Sequence, residues 1–191
     1  QMVRRLVSRG ADYIKVMASG GGTPGSLPAY PSFTVDELRV IVRTAHELGK
    51  TVTTHCTCTA AIANAVEARV DFIEHAMFTG PDGPSHYDPR VAEALARSGI
   101  RVTPTLQVFR DLVDLLPPGA ERDGWQARRE AHEAQIARLH DLGVPLLAGS
   151  DAGWRATRFD TFWEELDELV ICGLSPGEAV HAATGRTAEA L

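Results

Sequence analysis

Short apolar strands alternate with amphipathic helical stretches along nearly the whole chain, and this alternation constrains the fold more than any other feature. Residues 13–17 read as a buried strand that runs into Ser19-Gly20-Gly21-Gly22. Thr34 and Glu37 then stand at capping-box spacing, with Phe33 and Leu38 as a hydrophobic staple. The helix they open carries Leu38, Ile41, Val42, Ala45 and Leu48 on one stripe and stops at Gly49. The same strand-then-helix unit recurs. Residues 51–55, 71–75, 100–103 and 144–148 are the further strands. Between them, Ile62, Ala65 and Val66 mark one helix, and Asp88-Pro89 opens another that Gly99 closes. After a long connection broken by Pro117-Pro118-Gly119, a polar helix is predicted over about 121–142. Thr161 and Glu164 are placed to cap the next helix, and Ser175-Pro176-Gly177-Glu178 opens the last.

Buried strands separated by helices mean a parallel sheet with helices covering it. About five parallel strands fit an α/β open sheet. They fit equally the last five of eight strands in a TIM barrel, which usually needs about 250 residues. A helical stripe of Met2, Val3, Leu6 and Val7 begins the chain without a natural start, and the last helix has no stop signal. Residues 1–191 are therefore expected to be the C-terminal part of a larger barrel domain. Five strands would leave two parallel edges open, so self-association into a homo-oligomer, aggregation or poor stability is expected of the isolated chain.

Composition narrows the classes further. The chain is 44% hydrophobic and 23% charged, enough for a cored domain and too apolar for disorder. Nineteen Lys and Arg against 25 Asp and Glu argue against a nucleic-acid surface, and no apolar run is long enough for a membrane helix. Three cysteines make no disulfide framework, which points to a reducing, cytoplasmic compartment.

In a parallel sheet all strand C-termini face one side, and that side is where such folds place their sites. Lys15 lies inside the first strand, His55 and His75 close the second and third, and Asp151 follows the fifth. Two imidazoles and a carboxylate suit a divalent transition metal, zinc above all. Each residue alone reads as readily as a structural one. A strand-end His can be hydrogen-bonded in the core, Asp151 can order its own turn, and Lys15 can snorkel to the sheet edge. Burial of Lys15 would favour its neutral amine.

The run Gly10-Ala11-Asp12-Tyr13-Ile14-Lys15-Val16-Met17-Ala18-Ser19-Gly20-Gly21, followed by Thr54-His55, Phe72-Ile73-Glu74-His75 and Ala148-Gly149-Ser150-Asp151-Ala152, resembles the metal-dependent amidohydrolase superfamily. The nearest branch is the imidazolonepropionase-like and prolidase-like group, which includes Xaa-Pro and Xaa-Arg dipeptidases. The resemblance implies strands four to eight of a (β/α)8 TIM barrel, without the first strands and the small β-sandwich. It also implies two zinc ions bridged by a carboxylated Lys15, with His55 and His75 on the second ion and Asp151 on the first. Asp151 would act as general base, and a metal-bound hydroxide would cleave an amide or peptide C–N bond of a small molecule or dipeptide. The isolated chain would then be inactive as it stands. The His-x-His pair that the family carries on its first strand is absent among the seven histidines, and Thr57 stands where the branch often has a second histidine after His55.

Two rivals stay open: a lactonase or deaminase of the same superfamily, and a non-catalytic α/β binding module. Cys56 alternates to the face opposite His55, and Cys58 falls past the strand end, so both read as buried fillers. The glycine-rich stretch lacks a Lys-Ser/Thr ending and is no phosphate loop. His86 and Tyr30 sit in loops after strands, where they could line a pocket, and the charges of the 125–142 helix read as a solvated face. No substrate-binding residue is assigned.

Overall fold

The computed structural model describes residues 1–190, and these divide into two compact units. The first runs from Gln1 to Val102 and the second begins at Thr103.

The first unit holds α1 (Met2–Ser8), β1 (Tyr13–Met17), α2 (Val35–His46), β2 (Thr51–Cys58), α3 (Thr59–Ala68), β3 (Phe72–Thr79) and α4 (Pro89–Ser98). With β4 (Arg101–Thr103), the strands form a four-stranded parallel sheet among the described residues, in the order β1-β2-β3-β4. Sequential strands that are spatial neighbours, each pair joined by a helix, are the repeating unit of a barrel wall. The registers Lys15 opposite Thr53 and Met17 opposite His55 set the first pair. Thr53 opposite Phe72 and His55 opposite Glu74 set the second.

Local signals end and begin the helices as their chemistry requires. The Glu37 N–H donates to Thr34 Oγ1 at 3.3 Å while the Glu37 carboxylate accepts from the Thr34 N–H at 2.8 Å, so the capping box forms in full. Asp88 accepts from the Arg90 N–H at 2.8 Å at the start of α4, and Gly99 closes that helix with φ +74°. One face of the sheet is packed under α2 and α3. Ile14, Val16, Val52, Cys56 and Ile73 meet a layer of Leu38, Val42, Ala45, Ile62 and Ala65, all buried. Burying each of the larger aliphatic side chains stabilises the fold by about 1.5–3 kcal/mol.

The other face departs from expectation. The first strand is not buried on both sides: Ile14 and Val16 are, but Tyr13, Lys15 and Met17 are exposed. The strand thus has the alternating pattern of a sheet covered on one face.

The second unit is helical: α5 (Gln107–Leu115), α6 (Ala120–Asp141), α7 (Trp163–Ile171), α8 (Pro176–Ala183) and α9 (Gly185–Ala190). The Ser175–Glu178 capping box opens α8 as expected. Three expectations fail here. Residues 144–148 form no fifth strand beyond a single bridge position at Leu146. Pro145 lacks an N–H, and the backbone is satisfied by helices instead. The Val144 N–H donates to Leu139 O, the Ala148 N–H to Ala182 O, and the Arg186 guanidinium to Leu146 O. Thr161 does not cap α7. Its hydroxyl accepts from Gln107 Nε2 at 2.6 Å, and the N-cap position falls on Phe162 with no side-chain bond. The stretch after β4, expected as a plain connection, contains α5, whose Val108, Phe109, Leu112 and Val113 are buried.

The α6 charges are also not all solvated. Arg129 turns inward and donates to both oxygens of the buried Glu168, at 3.0 and 3.1 Å. Next to it on α7, Glu165 is fully buried and accepts the N–H groups of Leu106 (3.1 Å) and Gln107 (2.7 Å), closing the N-terminus of α5. Burial pushes the Glu165 carboxyl up to about 8 against those two N–H donors, which favour its anion.

Candidate functional site

The site is built at the C-terminal ends of β1, β2 and β3. Parallel pairing places Lys15 and His55 on one face of the sheet, two strand positions apart across the β1–β2 register. Glu74 is the β3 partner of His55, and it accepts from Thr53 Oγ1 at 2.6 Å on that face.

By simple alternation His75, next after Glu74, would point to the helices. It does not. His75 has φ +68° and Ala76 φ +51°, a left-handed backbone that costs a non-glycine residue roughly 1–2 kcal/mol. The β2–β3 register slips just beyond, between Cys56 and Cys58. This irregularity brings the two imidazoles edge to face, with ring centroids 4.4 Å apart. Backbone strain at a point where two metal-type side chains meet marks it as a candidate site.

The loop after β1 holds the other side of His55. The ring Nε2 lies 3.3 Å from the Gly20 carbonyl, and a Cβ on Gly21 would stand 3.0 Å from the same nitrogen. A Cβ on Gly20 would meet the Leu27 backbone at 2.5 Å. Gly20 needs glycine because the Leu27 backbone approaches so closely, and a side chain at Gly21 would press on the His55 ring. Where Nε2 donates to the Gly20 carbonyl, Nδ1 is the ring nitrogen that carries the lone pair.

Thr57 fastens this loop. Its hydroxyl donates toward the carbonyls of Gly20 (2.7 Å) and Pro28 (2.8 Å), and its N–H donates to Ser19 Oγ at 2.9 Å. The residue in the place of a second histidine thus ties strand to loop.

Lys15 is exposed, so the burial expected to favour its neutral amine is absent in this chain. Cys56 is fully buried on the opposite face, where loss of water pushes its thiol up to about 12 and keeps it an inert filler. Cys58 is the last residue of β2 rather than past its end, and it too is buried. Tyr30 and His86 are both exposed. His86 packs on Gly80 and is pinned by its N–H to Phe78 O and by Thr59 Oγ1 to its own carbonyl.

Asp151 belongs to the second unit. It sits in an exposed loop at φ +52°, its carbonyl accepting from the Trp154 N–H at 3.3 Å. Among the described residues, no group of three or more His, Cys, Asp or Glu side chains converges as a metal cluster. His55 and His75 are brought together, and Lys15 shares their face. Sequence alone marks Thr57 only as a departure from the family pattern, and it passes over Glu74 and, beyond Asp151, Trp154 and Arg155. An aromatic–cation pair directly after the Gly149-Ser150-Asp151 turn is a signal that could have marked the last two.

Comparison with known proteins agrees with this architecture. The Amidohydrolase family matches residues 2–191, and the chain belongs to that family. It is 30% identical over 186 residues to ochratoxinase of Aspergillus niger, covering 95% of this chain and 36% of that protein. The crystal structure of A. niger ochratoxinase superposes with a TM-score of 0.81, covering 98% of this chain and 42% of that one. A prolidase crystallised with N-methylphosphonate-L-proline is 27% identical, with a TM-score of 0.78 and coverage of 99% and 45%. The chain therefore spans about 36–45% of the length of these relatives. Its α/β fold is part of a TIM barrel, with four strands in place of the five expected.

Proposed function

We propose that this chain carries the metal-binding strands of a hydrolase that cleaves the amide C–N bond of a small N-acyl amino acid or dipeptide. The observation that carries the proposal is the His55–His75 pair, 4.4 Å between ring centroids and assembled by a strained turn of β3. Membership in the Amidohydrolase family supports it. So do the relatives, an ochratoxinase and a prolidase.

The donor chemistry fits zinc: two imidazoles on neighbouring strands, with the Lys15 amine on the same face. In this reading His55 and His75 would hold zinc, and Lys15, once carboxylated by CO2, would be a further ligand. Its assignment rests on position alone, since its exposure supplies no desolvation. Asp151, in the second unit, is the general base that the family resemblance implies. The bound metal would lower the pKa of a water and polarise the scissile carbonyl. The chain's own residues do the rest. Asp151 accepts the proton of the attacking water on a carboxylate oxygen and returns it to the leaving nitrogen. The Gly20 carbonyl and Thr57 hold His55 in one ring orientation, and Glu74 is oriented beside it by Thr53.

Metal content tests this without any substrate. The full-length natural protein is expected to hold zinc, and His75→Ala to lose most of it. A protein that binds no metal, or binds it equally with His55→Ala and His75→Ala, is a binding module and the hydrolase reading falls.

A further inference from the structure

The loop after Asp151 closes on itself: the Gly153 N–H donates to Thr157 O at 2.9 Å and the Thr157 N–H to Trp154 O at 3.0 Å. Asp151, Gly153 and Arg155 all take positive φ, so the chain turns sharply three times in five residues. The result puts the Arg155 guanidinium carbon 4.7 Å from the Trp154 ring centroid and 5.7 Å from that of Trp125 on α6. Arg128, one turn along α6, lies 4.9 Å from the same Trp125 ring.

Two guanidinium groups therefore converge on one indole. Among the described residues, neither makes an ion pair with a carboxylate, whereas Arg110, Arg129 and Arg158 all do. Stacking uses the flat faces of a guanidinium and leaves its N–H edges directed outward in the plane. Two like charges over a shared ring repel each other, and an anion beside them lowers that cost. Arg155 is exposed and already fixed by two rings, so little side-chain freedom is lost when its edge binds. A planar, bidentate acceptor such as a carboxylate matches that edge.

We propose that Arg155, supported by Trp154, Trp125 and Arg128, is the subsite that binds the free carboxylate of the substrate. The inference rests on the hydrolase reading in one respect: it takes Asp151, four residues away on the same loop, as the group that serves the leaving nitrogen. In an N-acyl amino acid the carboxylate is one carbon removed from that nitrogen. A cation on the loop of the general base is placed to read this feature. Arg155 would then select substrates that end in a free amino acid over those that are amidated or esterified.

The test is equilibrium binding to the full-length natural protein, followed by tryptophan fluorescence. All three tryptophans lie in the second unit, two of them in this cluster. The probes are N-methylsulfonyl-L-proline and N-methylsulfonyl-L-phenylalanine, whose sulfonamides resist hydrolysis, each beside its uncharged N-methylamide. At least one acid is expected to change the emission saturably and to bind roughly tenfold or more tighter than its amide. Arg155→Gln should remove that preference, Arg155→Lys should keep part of it, and Arg128→Gln should weaken it less. Equal binding of acid and amide, no binding of either acid, or an unchanged preference in a folded Arg155→Gln protein overturns the subsite. The two readings fail separately. An Arg155-dependent preference in a protein without metal leaves the subsite standing and removes the hydrolase. Metal-dependent hydrolysis whose KM for N-acyl amino acids ignores Arg155→Gln does the reverse.

Discussion

The two units differ in the polar groups they bury. In the first, the buried polar side chains among the described residues are hydroxyls: Ser19, Thr54, Thr57 and Thr59. Each binds a nearby strand or loop, as where Thr54 Oγ1 donates to Phe72 O at 3.1 Å. The second unit buries hydroxyls too, at Thr105, Ser150 and Thr157, but adds two carboxyls, two carboxamides and an imidazole: Glu165, Glu168, Gln107, Gln135 and His132. A sheet satisfies its own backbone through its ladder and needs only short hydroxyls at the irregular places. A packing of short helices leaves helix ends to satisfy, and there long side chains reach across. The first unit should therefore respond to lost volume and the second to lost charge and to pH.

The largest effect expected is from Arg129→Ala, which leaves Glu168 buried with only the more distant Arg110, at 3.8 Å. Breaking a buried pair in this way costs about 3–5 kcal/mol. Thermal melts should show it, and Arg129→Met with Glu168→Leu should recover most of the loss. Recovery would show that the charges set partners rather than supply net stability. No loss from Arg129→Ala would erase the contrast between the units.

The pH response comes next. Burial holds Glu165 up at about 8 and Glu168 at about 6, both above the ordinary 4.5, with Arg129 pulling Glu168 partly back down. Both carboxyls thus hold their protons more tightly folded than unfolded. The second unit is most stable below about pH 4.5 as far as these groups decide, and loses stability as pH rises to about 8. Hydrogen exchange followed by mass spectrometry at pH 5.5 and 8.5, corrected for intrinsic rates, should show protection of α5 and α7 falling at the higher pH. That of β1 and β2 should hold. Glu165→Gln should flatten the slope, although its amide would face a backbone N–H and lower stability at every pH.

The smallest effect sharpens the contrast at the level of one hydroxyl. Thr34→Ala removes a true cap from α2 and should cost about 1 kcal/mol. Thr161→Ala, in the same spelling, removes no cap. It should instead loosen Gln107 at the start of α5, visible as faster exchange there and not in α7.

That pair also explains what was legible in the sequence. Thr34, Asp88 and Ser175 bond backbone within three residues, so their neighbours in the chain were enough to read them. Thr161 is spelled like Thr34, but its partner Gln107 is 54 residues away, and a distant partner outcompeted the local one. The α5 stripe was hidden by its position between a strand and a proline break. For the site, the sequence put Lys15 and His55 toward the C-terminal side of the sheet and, by alternation along β2, Cys56 opposite His55. The β1–β2 register then sets Lys15 and His55 on one face. The meeting of His55 with His75 was not readable from spacing. It depends on a positive φ at a non-glycine residue, which nothing in the residue types announces.

The clasp between Thr57 and the loop after β1 has a practical consequence. Gly20 has no room for a methyl group against the Leu27 backbone, and one on Gly21 would press on the His55 ring. The ring and those two peptide units therefore set each other's position. Anyone redesigning the entrance can lengthen or recompose it past Gly22, but a graft that begins earlier would reset the angle of the imidazole before any new contact could be judged.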